Sequence, residues 1–119
     1  MDPFQEQFSV LLEVGEANGG AFGVVAEGKL AVIEHVTVYA NGAGAATADY
    51  FITSTIEGNA ALREVPIVTS VALSGAALGS HPFRAFAAAG SQFGGVIRRL
   101  DTTGPVVASF VIAGYFEPA

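Results

Sequence analysis

Residues 28–42, GKLAVIEHVTVYANG, decide the fold. Val32, Ile33, Val36 and Val38 branch at Cβ, which restricts χ1 and disfavours a helix. Together with Thr37 and Tyr39 they suit a pleated, half-buried surface. At period two, Leu30, Val32, Val36 and Val38 share one face, and Ala31, Ile33, His35, Thr37 and Tyr39 share the other. Both faces are largely apolar, which places this strand inside a sheet rather than at its edge. Asn41-Gly42 tolerates the positive φ of a tight turn, and Ala43-Gly44-Ala45 lengthens the connection beyond a two-residue hairpin.

The same alternation recurs on both sides of this stretch. Phe4 to Val14 sets Phe8, Val10, Leu12 and Val14 against Gln7, Ser9 and Glu13, with a helix started by Asp2-Pro3 as the competing reading. Further strands are predicted at Ala21 to Ala26, Ala46 to Glu57, Ile67 to Leu73, Phe83 to Ala89, Gln92 to Leu100 and Val106 to Glu117. Ala60 to Glu64 reads as a turn of helix and Ser74 to Pro82 as a Gly-, Ala- and Ser-rich loop. Gly94-Gly95 inside a strand marks a bulge or a close backbone approach. About eight strands without sustained 3.6-residue periodicity predict an all-β, single-domain antiparallel β-sandwich, jelly-roll-like in topology.

Composition sets the bounds on function. A chain of 119 residues is one domain by size, large enough to bury about two-thirds of its surface without staples. It has no cysteine, so neither disulfides nor thiolate metal sites support it. Charged residues are only 13% of the chain against 51% hydrophobic, and the formal net charge is −6. That balance argues against nucleic acid as a partner, because tracking phosphates needs a basic surface, and against docking on anionic lipid. No uninterrupted apolar run is long enough for a transmembrane helix, and the opening MDPFQEQF lacks the basic and apolar regions of a signal peptide, so no membrane partner is expected.

The stretches GKLAVIEHVTV, AFAAAGS and VVASFVIAGYFEP together resemble small uncharacterised bacterial β-sandwich proteins. The resemblance implies a fold and transfers no site.

The candidate chemistry is sparse. Two histidines, His35 and His81, lack a third imidazole for a metal cluster, and Glu34 and His35 point to opposite faces by strict alternation. His81, before Pro82, is expected in a solvated loop. Serine occurs at positions 9, 54, 70, 74, 80, 91 and 109, none in a G-x-S-x-G elbow. Glu34, Asp49, Glu57 and Glu64 are the candidates for a carboxylate pair. Arg98-Arg99 sends one guanidinium to each face, and the inward one is expected to meet an acid on a neighbouring strand. No catalytic residue, metal or cofactor is therefore expected.

The leading expectation is a noncatalytic homo-oligomer, a self-associating structural or assembly subunit such as a shell, fibre or appendage component. In the terminal strand, Val106, Ala108, Phe110, Ile112 and Phe116 make a core face. The opposite face, Val107, Ser109, Val111, Ala113 and Tyr115, carries no charge and is the predicted oligomer interface. The chain's own N-terminal segment or the Ser74 to Pro82 loop is the alternative cover for that face. A carbohydrate-binding module is the alternative function, with Tyr39, Tyr50 and Tyr115 as stacking platforms, and a small enzyme ranks below it.

Overall fold

The computed structural model describes residues 2–56, 59–70 and 76–118. Among the described residues, nine strands, β1 (Asp2–Leu12), β2 (Asn18–Val24), β3 (Lys29–Gly42), β4 (Asp49–Ile56), β5 (Asn59–Glu64), β6 (Val68–Ser70), β7 (Ala76–Ala87), β8 (Gln92–Arg98) and β9 (Val106–Pro118), form two antiparallel sheets. Sheet A runs β1-β9-β3-β7-β6 and sheet B runs β2-β8-β4-β5. The pairings β1 with β9, β2 with β8, β3 with β7 and β4 with β5 are those of one long hairpin rolled across two sheets. Contacts of β9 with β3 and of β8 with β4 close the roll. This is the jelly roll expected from the spacing of strands.

β3 lies at the centre of sheet A, as its two apolar faces require, but its alternation changes phase. The register shifts between Ile33 and His35. Ile33 and Val36 are both fully buried, so the two residues between them, Glu34 and His35, both lie on the solvent side. The core face is Ala31, Ile33, Val36, Val38 and Ala40, not either of the sets that strict period two yields. A β-bulge adds one residue to one strand of a pair, and one residue is enough to exchange the two faces beyond it.

Asp2–Leu12 is a strand, as the alternation from Phe4 to Val14 predicts, and the competing helix is not formed. Two other expectations are corrected. Asn59–Glu64 is strand β5 rather than a turn of helix, paired along β4 from Ile56 to Phe51. The Gly- and Ala-rich run from Ala76 to Pro82 belongs to β7, paired with β3, where ladder pairing and not local propensity makes it a strand. Residues 71–75 and Glu57 lie outside the described residues.

The core is filled by Tyr50, Ile52, Phe93 and Ile97 from sheet B against Leu12, Ile33, Phe110 and Ile112 from sheet A. A methyl group at Gly95 would overlap the Phe110 ring, so the glycine lets that ring lie on the backbone of β8. Phe4 and Phe8 meet Phe93 edge-on at 5.8 and 5.6 Å between centroids. The Tyr50 hydroxyl donates to Ala45 O at 2.6 Å, and desolvation pushes its pKa up to about 12. The surface of 6247 Å² is close to the roughly 6,000 Å² of a compact monomer of this mass, so one chain closes its own core.

At one end of the sandwich, Arg99 is 3% exposed and, among the described residues, forms no salt bridge. Its Nε donates to Glu16 O at 2.8 Å, Nη1 to Ala43 O at 3.0 Å and Gly104 O at 2.6 Å, and Nη2 to Glu13 O at 2.8 Å. The expected ion pair is thus replaced by four carbonyls that tie the β1–β2, β3–β4 and β8–β9 connections together. Arg98, on the other side of the strand, lies over the Phe51 ring at 5.3 Å.

Two outcomes follow from these contacts. Arg99→Met keeps the apolar stem but strands four carbonyls, and is expected to lower unfolding free energy by about 2–4 kcal/mol, seen as a lower urea midpoint at unchanged m. Tyr50 is raised from 10 to about 12 in the folded state. Its stabilisation is present below pH 10 and is lost as pH rises from 10 to 12, where only the unfolded chain ionises it. Tyr50→Phe is expected to cost about 1 kcal/mol at neutral pH, and to remove about 2–3 kcal/mol of the alkaline loss when urea titrations are compared across that window.

Candidate self-association face

The outward face of sheet A is assembled by four strands. From β9 come Val107, Ser109, Val111, Ala113 and Tyr115, the residues predicted from sequence. Phe110 and Ile112 on the other side of that strand are fully buried, whereas Val107 is 47% exposed and its four companions are half-buried. β9 is flanked on both edges, by β1 and by β3, so its outward side chains sit in the middle of the face. The N-terminal segment pairs beside β9 instead of covering it, and residues 76–82 lie in β7, beyond β3. Among the described residues neither alternative cover lies over this face, and Ser74 and Gly75 are outside them.

Register fixes the neighbours. Ser9, Ser109, Tyr39 and Leu78 form one row across the sheet, Gln7, Val111, Thr37 and Ser80 the next, and Gln5, Ala113, His35 and Pro82 the third. Leu11 lies beside Val107. None of these side chains is Asp, Glu, Lys or Arg, and the formal charges at the border are Glu34 at the bulge and Arg84 on β7. Two polar contacts knit the rows: Ser9 Oγ to Ser109 Oγ at 3.4 Å and His35 Nε2 to Ser80 Oγ at 2.9 Å. A shallow depression of about 290 Å³ lies between Tyr39 and Leu78, walled by Thr37, Val38, Gly79 and Ser80. The face is therefore flat, uncharged and mixed in polarity, suited to contact over area rather than to chemistry at a point.

The other candidates disperse. Glu34 is in sheet A while Asp49 and Glu64 are in sheet B, so Glu34 shares no site with them, and Glu57 lies outside the described residues. His81 is half-buried in β7, not in a loop, and its ring meets Phe83 edge-on at 5.2 Å. Among the described residues, no three His, Asp or Glu side chains converge as metal ligands would. Of the three tyrosines, Tyr50 is wholly inside the core and offers no sugar platform, while Tyr39 is 40% exposed and Tyr115 half-buried. The bulge is what sequence reading missed. By moving His35, Thr37 and Tyr39 onto one surface with Val111, it builds the centre of the face.

No protein-family model matches the chain, and no curated protein matches it significantly. Among solved structures, the SPBc2 prophage-derived protein YomS aligns over 96% of each chain at 14% identity and a TM-score of 0.40. The Drosophila NLP-core, described for pentamer formation and histone binding, aligns over 94% of this chain and 98% of its own at 13% identity and 0.37. Infectious bursal disease virus strain Gx aligns over 98% of this chain and 38% of its own at 13% identity and 0.23. Similarities this distant attach no function to the chain.

Proposed function

We propose that this chain is a noncatalytic, self-associating β-sandwich module, an assembly subunit that meets its own copies through the outward face of sheet A. The observation that carries this reading is the lack of formal charge across three rows of that face, in a chain whose net charge is −6. On this face Leu11 is 58% exposed and Val107 and Tyr39 nearly as open, and burying these apolar side chains against a second copy is favourable. A second copy presents the same uncharged surface, so the contact is self-complementary and brings no like charges together. A specific contact of this kind buries about 1,200–2,000 Å² in total.

The two sides of β9 separate association from folding. Phe110→Asp places a carboxylate in the core and is expected to abolish folding, whereas Val111→Asp is expected to leave a folded β domain that has lost its partners. Sedimentation equilibrium and circular dichroism read the two effects apart. A native chain of 12.1 kDa that remains monomeric at micromolar concentration refutes the proposal.

A further inference from the structure

The four sheet edges are not treated alike. β6 has only three residues, and beyond it the edge of β7 carries Pro82 and Arg84, with Arg63 Nη1 donating to Arg84 O at 3.3 Å. β2 is short and interrupted by Gly19, Gly20 and Gly23, and β5 has six residues with Arg63 and Glu64 exposed. Short strands, proline and charge are the usual means by which an edge is kept from pairing. β1 has fewer of them, Asp2 and Pro3 at its start and Glu6 on its core-facing side. It is eleven residues long, its proline stands at the second position, and its outward side chains from Gln5 to Leu11 are uncharged. Among the described residues, no backbone hydrogen bond outside the β9 ladder reaches Asp2 to Leu12.

We infer that β1 pairs antiparallel with β1 of a second copy, joining two five-stranded sheets edge to edge. A second copy is the occupant that fits, because it brings an edge of the same length and twist, and a two-fold axis pairs a strand with itself antiparallel. Registers in which paired residue numbers sum to an even value keep the core-facing side chains of both copies on one side. Glu6, half-buried on the core-facing side, disfavours the one that would set it opposite itself and leaves those centred near Gln7 or Phe8. The inference goes beyond the face contact, because the face is bound by side chains and the edge by backbone.

Amide hydrogen exchange on the intact chain tests this, since stacking of faces adds no backbone hydrogen bonds. At high concentration, alternate amides of β1 are expected to gain about tenfold protection or more, lost on dilution. Association with unchanged β1 exchange overturns edge pairing and leaves the face proposal standing. β1 protection that survives Val111→Asp supports edge pairing as a contact separate from the face. A chain monomeric at every concentration overturns both.

Discussion

A buried guanidinium can be kept only where its donors are satisfied, and Arg99 meets that condition with main-chain carbonyls alone. Carboxylates would fix one neighbour, whereas carbonyls from Glu13, Glu16, Ala43 and Gly104 fix the paths of three separate connections at once. Each connection joins a strand of sheet A to a strand of sheet B, so Arg99 holds the spacing and slide of the two sheets at that end. Gly15 N donating to Thr102 O and Ala43 N to Pro105 O extend the same lacing. Asp101, bonded by the hydroxyl and then the amide of Thr103, has its carboxyl held below the usual carboxylate range and shapes the turn beside it.

The outward and inward faces of that frame are of different kinds. Inside, fit is steric: Phe110 lies where Gly95 has no side chain, and Tyr50 spends its hydroxyl on Ala45 O. Outside, sheet A presents rows of Ser, Thr, Gln, Val and Ala with His35 bonded to Ser80. Self-association by face and by edge would use different parts of the same sheet, and a subunit with both would grow instead of closing, since two unlike two-fold contacts propagate.

Much of this was legible in the sequence because strands report themselves by alternation. The two sides of β9 are readable from Val106 to Tyr115, and the close approach at Gly94-Gly95 from glycine inside a strand. What was hidden depends on partners. Alternation through Glu34-His35 is locally plausible, and only the register against β9 and β7 reveals the extra residue that brings Tyr39 and Val111 to one surface. Alanines at 60, 61, 76 and 77 carry no strand signal of their own and become strand through pairing. Arg99 looked like half of an ion pair because the chemistry of a guanidinium names its preferred partner, while the loop carbonyls that it meets come from positions 13, 16, 43 and 104.

The rolled-hairpin topology has a consequence for synthesis on the ribosome. β9, which separates β1 from β3 in sheet A, is the last strand to be made. Until residues 106–118 emerge, β1 has no ladder and β3 has one open edge, while Phe110 is missing from the core that Gly95 leaves room for. Sheet A is thus completed only after translation of β9, and the nascent chain passes through a stage in which β1 is unpaired and one edge of β3 is open.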